Sequence, residues 1–374
     1  MQARNCLSQN ILPKLEAAYV PEITTSTWVN SSDIGIAEFE QYFAGYCGAK
    51  YGVAVNNGTV GLYLSLLALG IGKGDEVIVP AFCSQAVAYA VCYTGAIPVF
   101  VDVDKATWNM DIAEVEFKIS ARTKCIIAVH LFGNPVNMQA LRLLAYGYGL
   151  TILEDASQAY GCQYKGQRSG GLGDMGVFNF LAHESLGDAV SGMVISSDEK
   201  LARACRHYKN VCFPAQGQRS YMPTDIAFTY RMRNLHAGSE QPDTEKSNYG
   251  KNQRTLNGLL YQELLQNIPG IYLQQTEYDA KHVFWLNGIR VENKEYGRSR
   301  SELMAYLGGL GVKTQLFGNA LNRHPAMQKF GCDCSASLPI SDLLVNTGFY
   351  LPSQASVQEK EIKDICEAIK AFAR

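Results

Sequence analysis

Short apolar runs alternate with longer amphipathic ones from about residue 34 to residue 161. Residues 38–46 have the spacing of a short amphipathic helix, and G-V-A-V-N at 52–56 reads as a strand. The string N-N-G-T opens a helix over 60–69. G-D-E-V-I-V-P is a strand closed by Pro80, and another helix follows it to Tyr93. A-I-P-V-F-V-D and C-I-I-A-V-H-L-F-G are strands with a helix over 112–119 between them. Residues 138–148 are helical, and T-I-L-E-D is a strand. Short apolar strands separated by helices predict an α/β fold with a mainly parallel central sheet covered on both faces.

Further along the pattern loosens. Residues 216–248 are polar with scattered Gly and Pro, the composition of mobile active-site loops. A helix over 253–265, a strand over 283–291 and a helix over 298–310 come next. Residues 356–372 form an amphipathic helix with Val357, Ile362, Ile365, Ile369 and Phe372 on its apolar side. The length of 374 residues suits two domains. The expected division is a large cofactor and substrate domain over 1–245, including an N-terminal segment, and a smaller C-terminal α+β domain over 246–374.

Composition narrows the function classes. Apolar residues at 47% and charged residues at 18% describe a soluble globular protein, and a net charge of −2 offers no attraction to nucleic acid or membrane. Eleven cysteines are an odd number, so a complete disulfide framework is not implied, and Cys332-x-Cys334 lacks the second pair of a zinc site. Thiols in a reducing compartment are the plain reading. Residues 1–10 lack an apolar core of signal-peptide length, and the most apolar window, 77–101, is broken by Pro80, Ser84, Gln85 and Gly95. A cytoplasmic location is expected.

The richest stretch is 151–192. It reads T-I-L-E-D-A-S-Q-A-Y-G, then L-G-D-M-G-V-F-N-F-L-A-H-E-S-L-G-D-A-V-S-G, and no lysine lies between Lys165 and Lys200. With N-G-T-V-G-L-Y-L-S-L-L-A-L-G-I-G-K-G-D-E-V-I-V-P, G-A-I-P-V-F-V-D-V-D and V-H-L-F-G-N-P, these strings resemble the DegT-type nucleotide-sugar aminotransferases over residues 38–373. The resemblance implies the aspartate-aminotransferase fold (fold-type I of the pyridoxal phosphate enzymes) and a homodimer whose sites are completed by the partner subunit. It places Gly58 and Thr59 at the cofactor phosphate, where a helix N-terminus favours an anion; a glycine helix start with a threonine cap would look similar. It places Asp155 at the pyridine nitrogen, against the alternative of a strand-end aspartate capping a loop, and Gln158 near the cofactor hydroxyl.

Several positions depart from the family. Ser84 stands where an aromatic ring usually stacks on the pyridine, Asn179 where a serine binds phosphate, and Thr229 where an asparagine reaches the partner's cofactor. The Schiff-base lysine is replaced by Glu184 when counted forward from F-N-F, and by His183 when counted back from Ser191-Gly192. Neither residue supplies the amine that an imine with the cofactor aldehyde requires, so ordinary transamination is not expected. The A-H-E string and V-K-T-Q-L-F-G-N-A-L-N-R-H-P-A are similar to the GDP-4-keto-6-deoxymannose 3-dehydratase subgroup, which uses histidine in place of lysine. That subgroup implies pyridoxamine or pyridoxal phosphate held without a covalent bond, His183 as base and a sugar nucleotide, aminosugar or related metabolite as substrate. Two alternatives stay open: acid/base chemistry with no cofactor by His183, Glu184 and Asp155, and a non-catalytic partner of an active paralogue. His130 reads as a buried histidine with satisfied hydrogen bonds, and Arg168 and Arg231 as either phosphate ligands or surface ion pairs.

Overall fold

The computed structural model describes residues 34–180, 191–210, 225–232 and 245–373. In chain order the first half runs α1 (Ile34–Tyr46), β1 (Tyr51–Val55), α2 (Gly58–Ala68), β2 (Glu76–Pro80), α3 (Gln85–Thr94), β3 (Ile97–Val101), α4 (Ile112–Phe117), β4 (Thr123–Val129), α5 (Met138–Tyr148) and β5 (Thr151–Asp155). It continues with β6 (Gln163–Tyr164), β7 (Gln167–Arg168), β8 (Met175–Asn179), β9 (Gly192–Ser196) and α6 (Glu199–Lys209). Seven of these strands form one sheet in the order β1-β9-β8-β5-β4-β2-β3. All its pairings are parallel except those of β9, which runs antiparallel to both β1 and β8.

The apolar strands explain why both faces must be covered. In β2, Val77 and Val79 join the core beneath α2 and α3, while Ile78 joins the opposite core with Met138 and Leu141 of α5. In β4, Cys125, Ile127 and Val129 point one way, and Ile126 and Ala128 the other. Successive side chains of a strand alternate between faces, so a continuous apolar run is stable only between two helical layers.

The second half contains α7 (Glu245–Leu265), β10 (Ile271–Leu273), β11 (Ala280–Lys281), β12 (Asn287–Val291), α8 (Asn293–Tyr296), α9 (Arg300–Gly309), β13 (Gln315–Leu316), α10 (Pro325–Phe330), α11 (Pro339–Thr347), β14 (Gly348–Leu351) and α12 (Glu359–Phe372). Here β10-β12-β14-β13 make a four-stranded antiparallel sheet. Its core joins Ile289, Val291, Phe349 and Leu351 to Tyr261 and Leu265 of α7, Leu303 and Leu307 of α9, and Ile362, Ile365 and Ile369 of α12. Asp102, after β3, accepts the N–H groups of Ile340 and Ser341, both at 2.8 Å, and so fastens the N-terminus of α11 to the main sheet.

Two expected strands are shorter than their apolar runs. The run C-I-I-A-V-H-L-F-G stops pairing at Val129, because the His130 ring is held by Glu154 and Phe132 takes a left-handed backbone at φ 57°. The strand expected over 283–291 pairs only from Asn287, since Phe284 is also left-handed at φ 49° and the Trp285 N–H bonds to the Phe132 carbonyl. Among the described residues no helix is long and apolar enough to cross a membrane. The nine cysteines there are free thiols, and no group of three or more His, Cys, Asp or Glu side chains could hold a metal.

Candidate functional site

Parallel strands deliver their following loops to one edge of the sheet, where open α/β folds bind ligands. Asn57 and Gly58 follow β1, Cys83 and Ser84 follow β2, Asp155 ends β5, and Asn179 ends β8. Five residues named above by resemblance (Gly58, Thr59, Ser84, Asp155 and Asn179) therefore share that edge, and Gln158 lies in the turn after β5.

The N-terminus of α2 lies at this edge. Asn57 is its cap: the side chain accepts the Val60 N–H at 2.9 Å, and its carbonyl accepts the Gly61 N–H at 3.0 Å. The cap is thus Asn57 rather than Thr59. The first-turn N–H groups of Gly58 and Thr59 face outward from the helix end, as helix geometry requires. Gly58 is needed because a Cβ there would lie 2.6 Å from Asn179 Cβ and 3.2 Å from Ser157 Oγ. Gly192 is needed for a similar reason, since its Cβ would lie 2.7 Å from the Asn57 carbonyl carbon. Asn179 Oδ1 is buried against this corner with no hydrogen-bond partner among the described residues. A buried acceptor of this kind calls for a donor, which an anion does not supply, so an anion here would be met by the helix N–H groups and not by Oδ1.

Asp155 is 6% exposed, and its carboxylate accepts the Ser157 N–H at 3.0 Å. Burial raises its pKa, while the bonds from Ser157 and the proximity of His130 pull it back. It caps its loop and also presents a buried acid at the strand end. A positively charged ring nitrogen would relieve the cost of ionising it. Cys83 lies close enough for the Asp155 charge to add to burial in pushing its thiol well up. Ser84 is the cap of α3, its Oγ accepting the Ala86 N–H at 3.3 Å. Gln158 does not stand free: its Oε1 accepts the Phe132 N–H at 2.8 Å.

Behind the edge, Glu154 is wholly buried and bonded to His130 Nε2 at 2.8 Å. His130 Nδ1 accepts the Val136 N–H at 3.1 Å, so both ring nitrogens are hydrogen-bonded. The G-G-L-G-D turn folds over the same Glu154 carboxylate through the N–H groups of Gly170, Leu172 and Gly173.

Sequence reasoning missed Asn57, Ser157, Cys83 and His282. The first two carried a signal, an asparagine before a helix start and a serine two residues after a strand-end aspartate; Cys83 and His282 carried none.

His183 and Glu184 lie outside the described residues. Thr229 faces Asn210 in an isolated antiparallel bridge of its own chain, and Arg231 pairs likewise with Val55, with its Nε buried and unbonded among the described residues. The Arg168 guanidinium lies 3.7 Å from the centre of the Tyr46 ring and donates to that hydroxyl at 2.6 Å.

The chain matches the DegT/DnrJ/EryC1/StrS aminotransferase family over residues 10–370. GDP-perosamine synthase of Escherichia coli O157:H7 is 33% identical over 358 residues, spanning 96% of this chain and 95% of the relative. UDP-2-acetamido-2-deoxy-3-oxo-D-glucuronate aminotransferase of Pseudomonas aeruginosa is 32% identical over 337 residues, spanning 89% of each chain. Among solved structures, S. venezuelae DesV superposes with a TM-score of 0.87 at 30% identity, covering 96% of this chain and 94% of that one. The fold is that of fold-type I, and the chain belongs to the DegT/DnrJ/EryC1/StrS aminotransferase family.

Proposed function

We propose that this chain is a nucleotide-sugar enzyme of the family that holds pyridoxamine or pyridoxal phosphate without a covalent bond and eliminates a hydroxyl instead of transferring an amine. One observation carries the reading. The buried acid Asp155 is kept at the end of β5, while no lysine occurs between Lys165 and Lys200. A site that retains the partner of a ring nitrogen but lacks the amine for covalent attachment suits a cofactor that comes and goes.

When bound in its pyridoxamine form, the cofactor would supply an amine for a substrate ketone and a ring that absorbs carbanion charge. The chain supplies the rest. The N–H groups of Gly58 and Thr59 would hold the phosphate with Asn179 beside them, Asp155 would keep the ring nitrogen protonated, and Gln158 Nε2 would donate to the ring hydroxyl. Ser84 offers a small hydroxyl where family members carry an aromatic ring. Thr229 reaches the partner subunit's site in a homodimer. His183 removes the proton next to the substrate carbonyl carbon, and its imidazolium then assists loss of the neighbouring hydroxyl; histidine suits both steps because it titrates near working pH. Glu184 takes the lysine position under the forward count.

The substrate class follows the relatives, whose names specify GDP- and UDP-linked sugars. A second reading, a non-catalytic partner of a lysine-bearing paralogue, is favoured by the changes at Ser84, Asn179 and Thr229 together with the missing lysine. Acid/base chemistry without any cofactor is the third.

Incubation with pyridoxamine phosphate and a GDP-4-keto-6-deoxy sugar separates them. Elimination appears as a product lighter by one water. Aminated sugar formed with pyridoxal phosphate and glutamate would overturn the proposal. Turnover without any added or co-purified cofactor would favour the third reading.

A further inference from the structure

Phe132 is held in a conformation that an aromatic residue adopts at a cost of about 1–3 kcal/mol, with φ at 57°. Such a backbone persists only where its neighbours over-determine it. Its N–H donates to Gln158 Oε1 at 2.8 Å. Its carbonyl accepts from His282 Nε2 at 3.0 Å and from the Trp285 N–H at 2.9 Å. Gln158 from the turn after β5 and His282 from the segment before β12 therefore grip the two ends of one residue.

His282 is well placed for this task. It is 5% exposed and stacks on the Phe284 ring with centroids 3.8 Å apart, so the imidazole cannot swing. Burial pushes its pKa down to about 4, which keeps it neutral at working pH. Nδ1 faces Thr276 Oγ1 at 3.5 Å, and a carbonyl can only accept, so the proton resides on Nε2 and is donated to Phe132.

We propose that His282 is a positioning residue: by holding the Phe132 carbonyl it keeps Phe132 left-handed, and the Phe132 N–H in turn fixes the Gln158 amide with Nε2 turned toward the ligand. The assignment rests on the reading above in which Gln158 meets the cofactor hydroxyl. It extends that contact to a residue 124 positions away in sequence.

The test has two arms. H282F keeps the ring stack on Phe284 and removes the donor, and the Trp285 N–H still satisfies the Phe132 carbonyl, so the fold is expected to survive. In the ligand-free protein, residue-resolved hydrogen exchange should show the Phe132 amide exchanging at least about tenfold faster in H282F, the scale of one lost hydrogen bond. H282Q, whose amide can donate from near the Nε2 position, should return it to within about threefold of wild type. Should H282F fail to fold, H282N, too short to reach the carbonyl, is read in the same way. Unchanged Phe132 exchange in the donor-less variant overturns the proposal. In the second arm, pyridoxal phosphate is titrated by fluorescence. H282F should weaken binding about tenfold in wild type and have no further effect in a Q158L background. Fully additive losses would also overturn it. If wild type takes up no pyridoxal phosphate, the cofactor reading fails, and the exchange arm still decides whether His282 positions Gln158.

Discussion

Replacing Glu154 with glutamine removes one negative charge and one acceptor oxygen from the most constrained buried acid beside the site. Oε2 takes His130 Nε2 at 2.8 Å and the Gly170 N–H at 2.7 Å, while Oε1 takes the N–H groups of Leu172 at 2.6 Å and Gly173 at 2.5 Å. All four are donors. His130 cannot become an acceptor at Nε2, because its Nδ1 already accepts from Val136. A glutamine oxygen left with Leu172 and Gly173 would set its NH2 group against two further donors. Two charge-assisted bonds are lost at about 1.5–3 kcal/mol each, and local relaxation recovers part of the sum, so the expected cost is about 4 kcal/mol. With an unfolding entropy near 2.1 cal/mol/K per residue, a chain of 374 residues loses about 5 °C in Tm for that change. Urea unfolding and calorimetry at fixed protomer concentration measure both quantities. A loss below about 1 kcal/mol would refute the claim that this carboxylate holds four donors at once.

Borohydride treatment of protein loaded with pyridoxal phosphate, followed by intact mass, should leave no pyridoxyl adduct on an active-site lysine; such an adduct would contradict the non-covalent reading. His183→Asn should cut turnover by roughly 10²-fold or more, with Glu184→Gln milder; the reverse ranking would assign the lysine position to the carboxylate. Light scattering at micromolar concentration should give about twice the protomer mass of 41.1 kDa, and the protomer mass itself would remove the shared site. Because burial raises the Asp155 pKa above its ordinary 3.8, the ligand-free fold holds that proton more tightly than the unfolded chain, so Asp155 lowers stability as pH rises above 3.8. Asp155→Asn should therefore gain stability relative to wild type with rising pH while weakening pyridoxal phosphate binding; a pH-independent difference would show that the carboxylate is not held against its charge.

Helix α5 (Met138–Tyr148) and strand β5 (Thr151–Asp155) fall where the apolar pattern places them, residue for residue. Their limits are local: Asn137 caps the helix start, and Gly149 closes its end in a left-handed conformation. Where the limits are set by distant groups, the pattern overshoots. Residues 283–286 are apolar enough for a strand, yet their backbone groups turn to Gly133 and Phe132 instead.

The site divides along the same line. Sequence alone determined a mainly parallel sheet with helices on both faces, since continuous apolar strands have no other stable arrangement. It also determined the lack of a lysine between Lys165 and Lys200, and it put Asp155 at a strand end, because these are properties of residue type and order. It could not give the state of any side chain. Only the tertiary structure decided that Gly58, Ser157 and Asn179 meet at the start of α2, that Asp155 is buried, that Gln158 has one end already bonded, and that Arg168 lies on Tyr46. Those outcomes depend on contacts between segments far apart in the chain, and a contact of that kind leaves no local periodicity to read.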